Sequence, residues 1–411
     1  MVKAKSSIAP APAAESVRVA ELIGMVPQEY IEQLATELMA DKWVKKLKAA
    51  PLFKLILFSI LQGERLSLRV MEDNVSDPLF KILAPAFAAD EATWGGIRDR
   101  LIHVKSEFFR RLYEKVYQMA QAQYGSKGLS THHIKRFDST MVATFSHLLS
   151  GMQVGNTSKG KTQVKFTTEL KDDFLIHMTF HQDQEHLSEE TALKEAVTER
   201  ATKSEAEISV FDKGMKSRQS FAAFDGEHTL FVGRAHEAPR YVLLSTHAVI
   251  DARAQGESEE LDFIQDSAVN LYESSNKISP TKLRLIQYRI KTSGLTLSFV
   301  TNTWDLEAAV IAQVYKMRWD IEVLFRFMKQ EMNLTHFVCN DRNAIEVMMY
   351  CTLIASMLVL IYKKKNGIKS YKRAKTYFFK ELLYEMILEM LEIPEATEHL
   401  KQIIKKFVQK E

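Results

Sequence analysis

The sequence predicts a mixed α/β core between two helical regions. Within residues 129–234, three strand-like segments precede a helical segment, a strand, a short helix and another strand, an order typical of a mixed sheet covered by helices. Residues 16–126 place apolar side chains at helical spacing and show almost no strand signals. Helical patterns return after residue 346. These three observations assign the chain to the α/β class with helical flanks.

Composition divides the chain further. Residues 1–15 are rich in Ala, Pro and Ser, which predicts a disordered tail. Residues 16–128 predict a helical N-terminal domain. The mixed-sheet domain is expected over 129–345, and its segment 236–302 is mostly strand-like, which indicates a β-rich insertion. Residues 346–411 predict a helical C-terminal region for DNA contact or dimerisation.

Charge and cysteine content narrow the functional classes. The chain has 411 residues and a formal net charge of +3, so affinity for nucleic acid would have to come from local clusters of cations. The stretch 363–380 contains eight Lys or Arg residues and no acid, a pattern that suits DNA contact and a solvated face equally. Cys339 and Cys351 form no Cys-x-x-Cys pair, so neither a disulfide framework nor a cysteine zinc site is indicated.

One apolar segment tests a membrane interpretation. Val347 to Tyr362 is nearly all apolar and is followed by three lysines. Its 16 residues are fewer than the roughly 20 that an α-helix needs to span a bilayer. The segment therefore predicts a buried core helix, and no membrane partner is expected.

The segment from Tyr315 to Lys329 carries the most informative pattern. It contains no Gly or Pro, nor does the chain between Asp305 and Met332, so one continuous helix is predicted. One stripe, about 100° wide, carries a single carboxylate among cations and aromatic rings: Tyr315, Arg318, Trp319, Glu322, Arg326 and Lys329. Such a stripe suits holding a metal ion against a polyanion, and it equally suits the solvated face of an amphipathic helix.

The spacing of four of these residues matches a known signature. Tyr315, Arg318, Glu322 and Lys329 follow the pattern Tyr-x2-Arg-x3-Glu-x6-Lys, which resembles that of bacterial transposases in the family named after insertion sequence four. The flanking segment Phe299-Val-Thr-Asn302 also fits. The resemblance covers roughly residues 138–333. It implies a ribonuclease H-like catalytic core of the DDE and retroviral integrase superfamily, with a β-rich insertion before the glutamate.

Two aspartates complete the expected catalytic set. Asp138 and Asp212 each end a strand-like segment, where an aspartate alone is more often a turn or cap residue. The resemblance joins them with Glu322 as the three carboxylates that bind catalytic metal ions. Carboxylate oxygens are hard ligands suited to Mg²⁺, for which Mn²⁺ can substitute. Two ions are expected, about 3.5–4 Å apart, to activate the attacking oxygen and stabilise the leaving one.

The same resemblance implies a set of DNA-binding residues. Tyr315, Arg318 and Lys329 are expected to position phosphates and element ends, and Trp319 to stack on a displaced base. Arg234 ends a strand, Thr229–Arg234, that resembles the Phe-Val-x-Arg strand of the family. Further cations are expected at the DNA from their position on the signature stripe or beside the first hairpin, near Asp138: Arg326, Lys159, Lys161 and Lys165.

The resemblance implies cut-and-paste DNA transposition. Hydrolysis of a phosphodiester at each element end would free a 3′-OH, which would then attack the opposite strand to form a hairpin or be transferred to target DNA. The expected partners are double-stranded DNA, as inverted-repeat ends and as target, and a second copy of the chain in a homodimer. The helical domain 16–128 would either bind an element end or make the dimer contacts. A cytoplasmic location at the bacterial nucleoid is expected. A stand-alone ribonuclease H-like nuclease and a domesticated, non-catalytic DNA-binding protein remain alternatives.

A second group of potential metal ligands follows the third strand. His181, Asp183, Glu185 and His186 lie within six residues and are potential ligands of a metal ion. A polar loop is the favoured interpretation, and these residues are left outside the catalytic set.

Overall fold

A computed structural model of the chain separates into two compact units, one formed by residues 1–124 together with 327–411 and the other by residues 125–326. The structure describes residues 16–63, 65–84, 92–125, 133–143, 152–153, 162–171, 174–181, 183–200, 207–212, 215, 217–235, 239–246, 260–274, 276–335, 337–339 and 341–391. The first unit is helical, and the second is built around a sheet.

The elements follow the order that the sequence predicts. The helices are α1 Val19–Gly24, α2 Gln28–Glu37, α3 Ala49–Gln62, α4 Leu68–Val75, α5 Pro78–Leu83, α6 Trp94–His103, α7 Ser106–Tyr124, α8 Glu189–Arg200, α9 Arg218–Gly226, α10 Ala308–Lys316, α11 Trp319–Glu331, α12 Arg342–Lys365 and α13 Tyr371–Leu391. The strands are β1 His133–Ala143, β2 Met152–Gln153, β3 Thr162–Lys171, β4 Phe174–His181, β5 Glu207–Phe211, β6 Leu230–Arg234, β7 Tyr241–Thr246, β8 Leu261–Tyr272, β9 Ile278–Ile290 and β10 Thr296–Thr301.

Helix α12 is the central helix of the first unit. Every residue from Val347 to Tyr362 is buried, and α3, α6, α7 and α13 pack around the helix. By length and composition α12 is able to cross a membrane, but 94% of its most apolar window is buried inside the protein. The prediction of a buried core helix is confirmed.

The surroundings of α12 explain how the two ends of the chain are joined. A helix that is apolar on all sides has to be covered on all sides. The N-terminal helices α3, α6 and α7 and the C-terminal helix α13 supply that cover together. The sequence predicts two separate helical regions, 16–128 and 346–411. In the structure, residues 16–124 and the described residues of 346–411 belong to one compact unit. Residues 1–15 and 392–411 lie outside the described residues.

Truncating a leucine of α12 is expected to destabilise this unit strongly. Leu353 is 2% exposed, so Leu353→Ala should lower the free energy of unfolding by about 2–5 kcal/mol through lost burial and a residual cavity. Leu388→Ala is the matched control, because Leu388 is 57% exposed on α13, and we expect it to cost well under 1 kcal/mol. Denaturant unfolding of both variants measures the difference. Equal stability of the two variants would contradict the core position of α12.

The second unit contains the predicted mixed sheet. Five strands lie side by side in the order β4-β3-β1-β5-β6. Strands β3 and β4 run antiparallel to their neighbours, whereas β1, β5 and β6 are parallel. The first core strand carries Asp138, the fourth ends just before Asp212, and Glu322 lies on the later helix α11. This is the ribonuclease H-like arrangement that the sequence predicts.

The predicted β-rich insertion extends the same sheet. Strand β10 pairs antiparallel with β6, and β9, β8 and β7 follow outward in that order. At the far end of the sheet, the two-residue strand β2 pairs with residues 162 and 163 of β3. Strands β7, β8, β9 and β10 therefore lengthen the sheet beyond β6 instead of forming a sheet of their own.

Each face of the sheet has its own hydrophobic core. On one face, α8 and α9 contribute to a core around Phe137 and a group of packed phenylalanine rings: Phe211, Phe221, Phe224 and Phe231. On the other face, α10 packs over strand residues that include Ile134, Ile208 and Val232. Side chains alternate between faces along a strand, so the α10 face is also the face of Asp138.

Candidate active site

The register of the parallel strands brings the two predicted aspartates together. Arg136 is paired with Val210, and Phe137 with Phe211, so the next step along both strands aligns Asp138 with Asp212. Neighbouring strands lie about 4.8 Å apart. The expectation that Asp138 ends its strand is wrong, because β1 continues to Ala143. Asp138 lies where the parallel pairing of β1 with β5 ends, Asp212 directly follows β5, and both aspartates belong to the α10 face. The carboxyl end of parallel strands is where open α/β sheets bind ligands, so the sheet defines a site with two adjacent acids.

The helix that carries Glu322 differs from the prediction. The single helix expected between Asp305 and Met332 is wrong, because α10 ends at Lys316 and α11 begins at Trp319. Between them the backbone tightens into i→i+3 hydrogen bonds: Arg318 N donates to Tyr315 O at 3.0 Å, and Ile321 N to Arg318 O at 3.1 Å. No Gly or Pro marks this turn in the sequence.

Arg318 links two of the three carboxylates. Its Nη2 donates to Glu322 Oε1 at 2.5 Å, and its Nε lies 3.8 Å from Asp212 Oδ1. Tyr315 also reaches Asp212, donating its hydroxyl to Oδ1 at 3.1 Å. The turn between α10 and α11 thus gathers Asp212, Glu322 and Tyr315 around the Arg318 cation. Glu322 is placed beside Asp212 through Arg318.

The burial of Arg318 and Tyr315 beside two carboxylates changes the pKa values of both side chains. The Arg318 side chain is only 9% exposed. Burial lowers the pKa of its guanidinium, but the charges of Asp212 and Glu322 and the nearby Tyr315 outweigh burial, and the pKa is raised overall. Burial and then the negative charge of Asp212 raise the pKa of Tyr315 to about 12. Arg318 is therefore a cation, and Tyr315 is a neutral hydrogen-bond donor, at physiological pH.

Divalent cations fit this donor set. Carboxylate oxygens are the ligands that Mg²⁺ and Mn²⁺ prefer, and the guanidinium shows that a cation is held between Asp212 and Glu322. Asp138 is 8% exposed, and its Oδ1 accepts a 2.8 Å hydrogen bond from Ser139 N. All three acids belong to the described part of the chain, but they do not form a group whose oxygens all lie within 4.8 Å. A single ion therefore does not contact all three in this conformation.

Arg136 is a site residue that the sequence did not suggest. It lies two residues before Asp138 on β1 and is 4% exposed. Its Nη1 donates to Met317 O at 3.2 Å and to Asp320 Oδ2 at 3.0 Å. Arg136 therefore ties the strand of Asp138 to the beginning of the helix of Glu322. An arginine on the inward face of a buried strand was the available signal.

Arg284 fixes the approach to α10 in a similar way. It forms a buried ion pair with Asp266, with both contacts at 2.9 Å or less. Its Nη1 also donates to Thr303 O and Leu306 O, at 3.1 and 2.6 Å. The insertion strands β8 and β9, which carry this pair, therefore hold the loop that leads into α10. Nothing in the local sequence identifies these long-range contacts.

Arg234 reaches the same edge of the sheet as the acids. Gly233 is paired with Phe211, so Arg234 lies next in register to Asp212, on the same face. The glycine before it is required by packing, because a Cβ there would lie 2.6 Å from the ring of Phe211. The resemblance of Thr229–Arg234 to the Phe-Val-x-Arg strand thus pointed to a residue beside the acids.

The remaining signature residues lie on α11. Trp319 is the first residue of the helix and is 54% exposed. Arg326 is also exposed. Lys329 is half-buried and falls beyond residue 326, within the helical unit. DNA contact by these three residues stays a prediction.

One predicted DNA-binding residue lies elsewhere. Lys165 is 3% exposed and pairs with Met141, whereas Asp138 pairs with Thr168. Positions 165 and 168 of β3 are three residues apart, and side chains alternate between faces along a strand. Lys165 is therefore on the face opposite to Asp138. The expectation of a surface lysine guiding DNA toward Asp138 is wrong for Lys165, and Lys159 and Lys161 lie outside the described residues.

Comparison with known families identifies the class. The family described as Transposase DDE domain matches residues 136–358, more than half of the chain. The protein belongs to this family. The family resemblance drawn from Tyr315, Arg318, Glu322 and Lys329 is confirmed. Transposase DDE domains generally use divalent metal ions, in agreement with the carboxylates described above.

Individual relatives carry transposase names. "Putative transposase y4zB" of Sinorhizobium fredii is 28% identical over 39% of this chain and 43% of its own length. "Probable transposase for insertion sequence element IS5377" of Geobacillus stearothermophilus is 31% identical over 20% of this chain and 21% of its own length. The chain thus spans less than half the length of these curated relatives.

A solved structure has a distant likeness. The cryo-EM structure of the piggyBac transposase synaptic complex with hairpin DNA matches 96% of this chain and 86% of its own chain, with a TM-score of 0.48 and 10% sequence identity. At that TM-score the likeness does not by itself define the fold, which follows from the strand order above.

Proposed function

We propose that this protein is a transposase that cuts DNA at the ends of an insertion sequence and joins them to target DNA. The observation that carries the proposal is the register of β1 and β5, which aligns Asp138 with Asp212 at the carboxyl edge of the sheet. Glu322 joins them through Arg318. The alignment of the two aspartates and the Arg318 contacts to Asp212 and Glu322 support a DDE centre made of these three acids.

The three acids would hold two Mg²⁺ ions, for which Mn²⁺ can substitute. When bound, such ions activate the attacking oxygen and stabilise the leaving oxygen of a phosphodiester. Asp138 and Asp212 provide adjacent ligands on a rigid sheet, and Glu322 provides a ligand from α11. Tyr315 orients Asp212 by donating to its Oδ1. Arg136 holds β1 and α11 in one geometry, so that the acids stay in position.

Arg318 is suited to contact a DNA phosphate. Its Nε and Nη1 are buried and make no hydrogen bond within the described part of the chain. A buried donor without an acceptor costs about 1–3 kcal/mol, more if it is charged. Phosphate oxygens would satisfy these groups, because a guanidinium donates strong, charge-assisted hydrogen bonds to phosphate. We propose that Arg318 holds the two acids in the free protein and binds the scissile strand in the complex.

The experiment uses a labelled duplex that carries the inverted repeat bracketing the reading frame. With Mg²⁺ we expect a cut at the repeat boundary that leaves a 3′-OH, and no cut with EDTA or with a scrambled repeat. Cutting that ignores the repeat would support the stand-alone nuclease instead. Binding without any cut would support the domesticated DNA-binding protein.

The assembly and location follow from the same proposal. Two ends must be brought together before joining, so we propose a homodimer that bridges the inverted repeats, at the bacterial nucleoid. Mass photometry with paired-end DNA should show two protein chains for each pair of ends. One chain for each pair would contradict the dimer.

Lys329 is expected to make one phosphate contact. Lys329→Ala should weaken binding to element ends and reduce the salt slope of log K by about one unit, the share of one phosphate. Lys115→Ala on α7 is the matched control, because Lys115 is also a half-buried lysine on a helix. Its Nζ lies 5.7 Å from the centroid of the Tyr30 ring. A salt titration of end binding measures both variants. The same salt slope for Lys329→Ala and the unmodified protein would exclude this contact.

A further inference from the structure

A second cluster of titratable side chains lies away from the three acids. His181 ends β4, His186 lies in the 3₁₀ helix Gln184–Leu187, and Glu195 is on α8. One ligand atom from each lies within 4.8 Å of the other two. His186 Nε2 is 2.5 Å from Glu195 Oε2. The two imidazole rings stack with their centroids 4.4 Å apart.

The strand register separates this cluster from the candidate active site. His181 is paired with Lys165 of β3, and Lys165 is paired with Met141 of β1. Asp138 is paired with Thr168, which is three residues from Lys165 on β3, so Lys165 and its partner His181 are on the face opposite to Asp138. The cluster thus belongs to the α8 face, and Asp138 to the α10 face. No single ion can bind both groups.

The local environment favours neutral imidazoles as ligands. His181 is 6% exposed, and its Nε2 is 3.1 Å from Thr167 Oγ1. Burial, followed by the neighbouring His186, lowers the pKa of His181 to about 4, so its ring is neutral at physiological pH. His186 Nδ1 is buried and makes no hydrogen bond among the described residues. An ion pair between His186 and Glu195 alone does not account for the second, buried imidazole.

We propose that His181, His186 and Glu195 bind a divalent transition-metal ion, with Zn²⁺ the best fit. Two imidazoles and one carboxylate form a zinc ligand set, with metal–ligand distances of about 2.0–2.2 Å and a fourth position for water. Two ligands of a tetrahedral ion are then about 3.3 Å apart. The 2.5 Å contact between His186 and Glu195 would have to open by less than about 1 Å. Mg²⁺ is a poor fit, because it prefers all-oxygen ligands.

The ion would fasten α8 to the sheet. Glu195 is on α8, and His181 is on β4. Leu193 and Val197, which flank Glu195, are fully buried in the core that contains Phe137. Phe137 is the residue next to Asp138. A metal at this point would stabilise the packing behind the strand that carries the first catalytic aspartate.

The test combines a spectroscopic titration with thermal unfolding of the full chain. Co²⁺ serves as the probe, because in a tetrahedral site it gives visible absorption bands that Zn²⁺ abolishes on displacement. We expect the unmodified protein to bind one Co²⁺ with these bands. Zn²⁺ at about a hundred times its Kd should raise Tm by about 5 °C. Millimolar Mg²⁺ should leave the Co²⁺ bands unchanged.

The variants decide between a metal site and an ion pair. Glu195→Gln changes a side chain that is 43% exposed, so folding should be retained, and His186→Asn is the second variant. Both should weaken Co²⁺ binding at least tenfold and remove the Tm shift, since even indirect partners of a metal cost 10–100-fold. Glu322→Gln is the control and should keep the bands, because it lies in the other site. If both cluster variants bind Co²⁺ like the unmodified protein, or if Mg²⁺ displaces Co²⁺, the site does not exist. DNA cleavage is not a readout here, so this outcome is independent of the proposed function.

Discussion

Replacing Glu322 with Gln is expected to abolish DNA cleavage and to retain binding to element ends. The amide keeps the shape of the side chain but removes the negative charge that holds a divalent cation. Loss of an indirect partner of a metal already costs about 10–100-fold in activity or affinity, so loss of a direct ligand should cost at least about 100-fold in the cleavage rate. The duplex is also expected to contact other cations, such as Lys329, so its affinity should change much less.

The measurement is a cleavage time course in Mg²⁺ beside an end-binding titration. Glu331→Gln at the other end of α11 is the matched control, and it should cleave at the unmodified rate. We also expect Glu322→Gln to need more Mg²⁺ for half-maximal residual activity. Cleavage by Glu322→Gln near the unmodified rate would remove Glu322 from the metal-binding set.

The second large effect is expected at Arg318. Its guanidinium spans Asp212 and Glu322 with two different nitrogens. Lysine keeps the charge but acts as a point charge and cannot form the fork. Arg318→Lys should therefore reduce cleavage by at least about tenfold, the equivalent of one charge-assisted hydrogen bond at about 1.5–3 kcal/mol. End binding should change less than cleavage, because the net charge of the site is unchanged.

A second arginine, Arg342, is the control that shows whether loss of an ordinary ion pair also reduces cleavage. Arg342 also pairs with a glutamate four residues on, at 3.2 Å from Glu346, but its side chain is 62% exposed. Exposed pairs contribute about 0–1 kcal/mol, so Arg342→Lys should cleave normally. If Arg318→Lys also cleaves normally, its face of the turn does not contact the reacting DNA.

The sequence predicted the parts of the site that depend on short-range signals. Local patterns placed Asp138 and Asp212 in strand-like segments, the family resemblance joined them as one set, and the structure aligns them through the β1–β5 register. The strand-rich segment after residue 236 was also found, because strand patterns are local. Its attachment to β6 through β10 depends on a pairing between distant segments, which no local pattern encodes.

Features set by tertiary packing were missed or predicted wrongly. The turn at Arg318 contains no helix-breaking residue, so helical periodicity continued through it. Lys165 was placed near Asp138 by chain proximity, although strand alternation puts it on the other face. Arg136 and Arg284 act through contacts with residues far away in the chain. The core that the N-terminal and C-terminal helices share is likewise visible only in the structure, where helices from both ends of the chain pack around α12.

Joining of paired element ends to a target plasmid is the decisive measurement for strand transfer by the site of Asp138, Asp212 and Glu322. Two duplexes with the inverted repeats and a supercoiled target plasmid would be incubated with the protein and Mg²⁺. We expect plasmids with element ends covalently joined through their 3′-OH groups, and none with Asp212→Asn, which removes the proposed metal ligand beside Asp138. Cleaved ends that are never joined to the plasmid would contradict it and indicate a nuclease. Joined products from Asp212→Asn at the unmodified level would contradict the site itself.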